Sequence, residues 1–98
     1  MPRVTEAQVG IAALRVMAAQ PNGSATIPRI KKELPTHLAL SAEDRAPSPT
    51  RPGEEMWEQQ VRNLVSHRKT EGNIVAEGYA TYQPRRLTIT DAGRRRIA

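Results

Sequence analysis

The chain has 98 residues, the length of one compact domain, and it contains no cysteine, which excludes disulfides and thiolate metal sites. Fifteen Lys and Arg residues against ten Asp and Glu give a net charge of +5, which favours a polyanionic partner. The first apolar stretch is too short and too polar to cross a membrane, and it lacks the pattern of a signal peptide. We therefore expect a cytoplasmic protein in which residues 1–98 form a single domain.

The N-terminal segment predicts a helix over about residues 5–20. Thr5 and Gln8 stand at the two positions of a capping box, and apolar residues then recur at helical spacing. A Pro-Asn-Gly turn stops the helix, with Gly23 suited to a left-handed conformation. Residues 24–26, which follow, are a candidate edge strand.

A second helix is predicted directly after this strand. Thr26 can act as its N-cap, Pro28 fits its first turn, and Pro35 is expected to end it. Residues 36–53 are predicted to form a long loop inside the same domain, because three prolines in six residues exclude regular structure. Within that loop, residues 41–45 are expected to form a short helical turn.

The strongest helical pattern covers residues 54–69. Glu54 and Glu55 suit the positive end of the helix dipole, and Arg68 and Lys69 suit the negative end. The predicted buried stripe consists of Trp57, Val61, Leu64, Val65 and Arg68. Trp57 is expected to anchor the core, whereas the stem of Arg68 packs and its charged head reaches solvent.

Two short β-like runs, residues 79–82 and 86–90, are joined by a tight connection that predicts a hairpin. In the second run, apolar and Thr residues alternate, so one face is expected to be buried and the other wet. Thr90 or Asp91 can then cap a short final helix that ends in three arginines.

The order of these elements predicts an α+β fold, mainly α, of the winged-helix type. It consists of three helices, a two-stranded β-hairpin wing and a short C-terminal helix. In that fold the third helix, at about residues 54–69, enters the major groove of a duplex, while the wing at residues 79–90 lies on the backbone or minor groove. We therefore expect a double-stranded-DNA-binding protein associated with the nucleoid, acting as a regulator or a DNA-targeting module.

The outward side of the third helix has the chemistry for this role. Amides pair with adenine and Arg with guanine, so the predicted base readers are Gln59, Arg62 and Asn63. The predicted backbone or wing contacts are Ser66, His67, Lys69, Arg85 and Arg86. Additional phosphate contacts are expected from Arg29, Lys31, Lys32, Arg94 and Arg95. The alternative to base reading by these three residues is a solvated helix face that contacts no ligand.

Three motifs carry a family resemblance. They are Trp57-x-x-x-Val61-Arg62-Asn63-Leu64, then Gly78-Tyr79, then Leu87-Thr88-Ile89-Thr90-Asp91-Ala92-Gly93-Arg94. Residues 54–98 thus resemble the winged-helix domain at the N-terminus of Mrr-type restriction endonucleases, and residues 40–47 are similar to the stretch preceding its third helix. The resemblance implies DNA binding that recruits a separate cleavage domain. Because the sequence ends at Ala98, we expect only DNA binding to carry over.

No enzyme site is expected. Ser66 and His67 are adjacent on a helix and point about 100° apart, so they cannot form a nucleophile–base pair. His37 and His67 are the only histidines, and no glycine loop for phosphates is present. We therefore expect no catalytic residue, metal ion, cofactor or small-molecule substrate.

One rival interpretation belongs to another class of protein. A winged helix can serve as a protein–protein adaptor in a larger complex without touching DNA, because a fold does not determine a function. Within the DNA-binding interpretation, a single small module offers an interface of only about 600–1,000 Å². Tight specific binding is therefore expected to need a homodimer.

Overall fold

The computed structural model describes residues 3–98, which form four helices and one three-stranded antiparallel sheet. The elements in chain order are α1 (Glu6–Ala18), β1 (Ser24–Thr26), α2 (Ile27–His37), α3 (Met56–Ser66), β2 (Ala80–Gln83), β3 (Arg86–Ile89) and α4 (Asp91–Ile97). The predicted α+β class, mainly helical, is confirmed. Across residues 3–98, none of the helices combines the length and the apolar character needed to span a bilayer.

Helix α1 occupies the centre of the core. Its predicted start is confirmed, since the Thr5 hydroxyl accepts a hydrogen bond from the Gln8 backbone and the Gln8 side chain accepts one from the Thr5 backbone. Its fully buried side chains are Val9, Ala13, Leu14, Val16 and Met17. Helices α2, α3 and α4 and strand β3 all pack against α1. The other elements are therefore arranged around one helix.

The sheet has three strands, whereas the predicted wing had two. β3 lies in the middle, because β1 pairs with it on one side and β2 on the other. Leu87 is opposite both Ala25 of β1 and Tyr82 of β2. The candidate edge strand at residues 24–26 is thus confirmed. It connects the hairpin to α2, because it pairs with β3 and is followed directly by the first residue of α2. The hairpin turn is tight, and Arg85 in it has a φ of 69°.

Helix α2 starts as predicted but does not end at Pro35. The Thr26 hydroxyl accepts a hydrogen bond from the Arg29 backbone at 3.3 Å, which confirms the cap. Past Pro35 the helix continues to His37. A proline in the last turn removes only one backbone hydrogen bond. Leu34, the residue before Pro35, is held in helical conformation because its side chain is fully buried.

Helix α3 is shorter than the predicted residues 54–69. Glu55 is its N-cap and forms a capping box with Glu58. At the other end, the side-chain amide of Asn73 donates to the Leu64 carbonyl at 3.1 Å. That carbonyl is the one that Arg68 would bond if the helix continued past Ser66, so Asn73 satisfies a carbonyl at the end of the helix. Trp57 is buried with 6% of its surface exposed, which confirms it as a core anchor.

The irregular segment of residues 38–55 is organised around Asp44, which is 1% exposed. The Asp44 carboxylate accepts backbone hydrogen bonds from Val4 and Ser41, each at 2.9 Å, and one from the Ser41 hydroxyl at 3.1 Å. The Asp44 carbonyl accepts a hydrogen bond from the Trp57 backbone at 3.0 Å. One residue therefore joins the N-terminal segment, the loop and the start of α3. The predicted turn at residues 41–45 is confirmed.

Replacing Asp44→Asn should therefore destabilise the fold in a pH-dependent way. Burial raises the pKa of Asp44, but the hydrogen bonds from Ser41 and Val4 outweigh burial and hold this pKa below its usual value. Because the folded-state pKa is lower than the unfolded-state pKa, the carboxylate stabilises the fold at neutral pH and loses that contribution as the pH falls through the folded-state pKa. We expect the variant to lose about 1–3 kcal/mol of unfolding free energy at neutral pH.

Urea denaturation at neutral pH and at about pH 3 measures this difference, which should shrink at the acidic pH because the pH then lies below the unfolded-state pKa and closer to the folded-state pKa. Glu43→Gln is the matched control, because it removes the same charge from an exposed neighbour and should change stability by less than about 0.5 kcal/mol. Equal stability of Asp44→Asn and its parent at neutral pH would contradict the role given to Asp44.

Candidate nucleic-acid interface

The exposed side of α3 is opposite the stripe that it buries. The buried stripe of α3 contains Trp57, Val61 and Leu64. Gln59 and Ser66 are exposed along the middle of the opposite side. Arg62 and Asn63 lie on its two flanks and are half-buried. This side of α3 is therefore polar, and only its flanks contact the rest of the protein.

Arg62, a predicted base reader, is held by a carboxylate. Its guanidinium donates to Glu54, which also pairs with Lys31 at 3.3 Å, while Glu58 lies 3.8 Å from the same Lys31 ammonium. Burial raises the pKa of Glu54, but hydrogen bonds from Arg62 and Lys31 outweigh burial and lower this pKa overall, so the carboxylate is charged at neutral pH. The Arg62 and Lys31 cations are thus both neutralised within the fold.

The opposite flank of α3 carries a pair of amides. The Asn63 Nδ2 donates to the Gln60 Oε1 at 3.2 Å. Both residues border an open groove of about 540 Å³ between α3 and the N-terminal segment, with Arg3 and Gln59 also on its walls. The sequence prediction missed Gln60, although its three-residue spacing from Asn63 was a signal that the two side chains would meet.

The C-terminal end of α3 contacts the hairpin. The Arg68 guanidinium lies over the Tyr82 ring of β2, 4.8 Å from its centroid, and donates to the Val65 carbonyl at 2.9 Å. Next to it, Lys69 is exposed and forms no ion pair with the described residues. His67 Nδ1 lies 2.7 Å from Glu6 Oε1. The Arg68–Tyr82 contact, which the sequence did not indicate, joins the third helix to the hairpin.

The hairpin tip lies beside the start of α2. The Arg85 carbonyl accepts a hydrogen bond from the Ile27 backbone at 3.4 Å. Arg85 and Arg86 are both exposed, and strand alternation puts Arg86 on the sheet face opposite that of buried Leu87. Arg86 therefore points away from the helices that pack on the other face. Residue Arg85, in the turn, is the nearer of the two to α2.

The remaining predicted cations fall into two groups. On α2, Arg29 pairs with Glu33 at 2.9 Å, and Lys32 is exposed without an ion pair among the described residues. On α4, Arg94 and Arg95 are exposed, but this helix begins at the end of β3 opposite the hairpin tip. The arginines of α4 thus form a basic spot separate from the hairpin.

Net charge is distributed unevenly along the chain. Residues 1–58 contain seven basic and seven acidic side chains, whereas residues 59–98 contain eight basic and three acidic ones. Two basic residues follow the end of α3 and two lie at the hairpin tip, and none of the four pairs with a carboxylate among residues 3–98. We call these four the helix–hairpin cations: Arg68, Lys69, Arg85 and Arg86. The positive charge of the protein is concentrated in its C-terminal part.

Comparisons of the chain with protein-family models, with curated protein sequences and with solved structures found no match. The resemblance to the Mrr-type domain therefore stays a prediction. Within the part of the chain that the structure describes, no three His, Asp or Glu side chains come together as a group that could hold a metal ion.

The contact between Arg68 and Tyr82 can be measured by a double-mutant cycle. Tyr82→Leu keeps an apolar side chain and removes the aromatic face, so it should lower the free energy of unfolding by about 0.5–1 kcal/mol. In an Arg68→Met background the same substitution should cost much less, because the cation is already gone. Urea denaturation of the four proteins gives the coupling. Equal losses in both backgrounds would show that helix and hairpin are not joined by this contact.

Proposed function

We propose that this protein binds double-stranded DNA, with the exposed side of α3 in the major groove and the β2–β3 hairpin on the backbone or minor groove. The observation that carries the proposal is the group of helix–hairpin cations, none of which has a carboxylate partner among the described residues. Phosphate groups are the ligands that such unpaired Arg and Lys side chains prefer in a duplex.

The order of the elements supports a winged-helix arrangement, which is part of the proposal. In chain order a helix pair, α2 and α3, precedes a hairpin, and β1 pairs with the second strand of that hairpin. Helix α3 has 11 residues, which gives a length of about 16 Å. The major groove is about 12 Å wide and accepts one helix. Gln59 and Ser66, which lie farthest from the buried stripe of α3, carry no charge that would oppose close approach.

The acidic start of α3 does not present a free negative surface. Each of its three carboxylates has a cation within 4 Å: Glu54 pairs with Lys31 and Arg62, Glu55 with Arg45, and Glu58 with Lys31. Because these charges cancel locally, repulsion of the DNA backbone is reduced. The start of the helix would thus be close to neutral, while its end and the hairpin would attract phosphates.

The biological role proposed here is that of a regulator or a DNA-targeting module without catalytic activity. A module of this size covers about 600–1,000 Å² of DNA, so tight specific binding would use two copies on neighbouring half-sites. The second candidate is a protein–protein adaptor. One observation favours it: Arg29, Lys31 and Arg62, three of the predicted DNA-contacting cations, are already neutralised within the fold.

Fluorescence anisotropy with a labelled duplex, measured across a series of salt concentrations, separates the two candidates. The affinity should fall steeply with salt, with a logarithmic slope of about −0.9 for each phosphate contacted. Arg85→Gln combined with Arg86→Gln should weaken binding to all duplexes alike and make the slope shallower by about two. Arg95→Gln is the matched control, because it removes one positive charge at the far end of β3 and should leave the slope unchanged.

Two outcomes would oppose the proposal. Absence of duplex binding at low salt would favour the adaptor. A larger effect of Arg95→Gln than of the hairpin substitutions would move the contact surface to α4 and away from the helix–hairpin cations.

A further inference from the structure

We infer that α3 reads adenine, using the amide pair of Gln60 and Asn63, and that Glu54 withholds Arg62 from the bases. The inference rests on the proposed function and adds to it the base that the protein selects. It starts from the contrast between the two flanks of α3. One flank carries the ion-paired Arg62, and the other carries amides that face an open groove.

The guanine-reading side chain of α3 is not free. Guanine presents two acceptors, N7 and O6, in the major groove, and Arg satisfies both with parallel donors. In this protein the Arg62 guanidinium is bound by Glu54, and both side chains are about one-fifth to one-quarter exposed, at 24% and 19%. Reading guanine would require this pair to separate, which would leave Glu54 with Lys31 as its one ion-pair partner among the described residues.

The amide pair differs from Arg62, because each of its two side chains keeps one polar atom outside the hydrogen bond that joins them. Asn63 Nδ2 donates to Gln60 Oε1, and this bond leaves the Asn63 oxygen as an acceptor and the Gln60 nitrogen as a donor. Among residues 3–98 neither of those two atoms has another hydrogen-bond partner. Exchanging N and O on both amides would still leave one donor and one acceptor, so the pattern is a property of the pair.

One donor beside one acceptor is complementary to adenine. The major-groove edge of adenine presents the N7 acceptor and the N6 amino donor, which match the Gln60 nitrogen and the Asn63 oxygen. Guanine offers two acceptors, while cytosine offers only a donor and thymine only an acceptor with a methyl group. Of the four bases, adenine alone satisfies both free atoms of the pair.

The surroundings of the amide pair are open enough for a base edge. The pair borders the groove of about 540 Å³, whose lining includes the cation of Arg3 as well as the acidic residues Glu6 and Asp44. Gln59 is exposed and lies four residues before Asn63, which puts both on the same side of the helix about 6 Å apart. Gln59 is therefore positioned to read a neighbouring base pair.

The first experiment is a selection of binding sites from random duplexes with the full chain. Adenine should be enriched at one or two adjacent core positions. In the selected duplex, 7-deazaadenine at the core keeps Watson–Crick pairing but lacks the N7 acceptor, and it should weaken binding of the parent protein roughly tenfold. This comparison uses the unmodified protein, so it does not depend on the folding of any variant.

Variants then assign the effect to the amides. The Gln60→Ala, Asn63→Ala double variant should bind the adenine and 7-deazaadenine duplexes equally well. Arg85→Gln is the contrasting variant, because it should weaken binding to both duplexes and keep the tenfold ratio between them. In Glu54→Gln, the released Arg62 should add enrichment of guanine at a core position next to the adenine.

The outcomes separate this inference from the proposed function. A core dominated by guanine, or salt-dependent binding without any base enrichment, would overturn the reading of adenine and leave DNA binding intact. Unchanged selection by Glu54→Gln would overturn the role of Glu54. Absence of binding to any duplex would overturn the proposed function itself.

Discussion

The burial of α1 is the constraint on which the rest of the structure depends. Val9, Leu14 and Met17 are fully enclosed because helices and strand β3 cover α1 from several sides. Each such side chain contributes about 1.5–3 kcal/mol when it leaves water, so the fold is favourable only when every covering element is in its place. With α1 at the centre, α2 and α3 bury one side each and leave their polar sides to solvent. The exposed side of α3 follows from that packing.

Charged side chains are arranged in two different ways along α3 and the hairpin. At the start of α3, carboxylates sit next to Lys31 and Arg62, and these charges cancel in pairs that are half-buried. At the end of α3 and on the hairpin, the cations have no such partners among the described residues. This division suits a protein in which phosphate contacts give affinity and uncharged amides give sequence preference, because phosphates carry no sequence information. The Arg68–Tyr82 contact joins the segment after α3 to the hairpin.

Features that depend on neighbouring residues were predictable from the sequence. The Thr5 capping box, the Thr26 cap and the buried Trp57 follow from local spacing, and all three are confirmed. Features that depend on distant residues were not. Asn73 donates to the Leu64 carbonyl at the end of α3, a contact that no helical period could indicate.

The candidate site divides in the same way. The outward position of Gln59 follows from helical spacing, but the capture of Arg62 by Glu54 does not, because the two residues are eight apart and Glu54 precedes the helix. The third strand of the sheet likewise depends on pairing between residues 24–26 and 86–88, which are far apart in sequence. Sequence periodicity predicts which side of a helix faces solvent. Only tertiary contacts show which charged side chains on that side lack an ion-pair partner.

Nuclear magnetic resonance of isotope-labelled protein, titrated with a selected duplex, tests the central claim most directly. If α3 and the hairpin form the DNA-binding surface, the largest changes in backbone amide shifts will map to residues 59–69 and 80–86. Changes confined to α4 or to residues 39–53, or no saturable change at low salt, would contradict it.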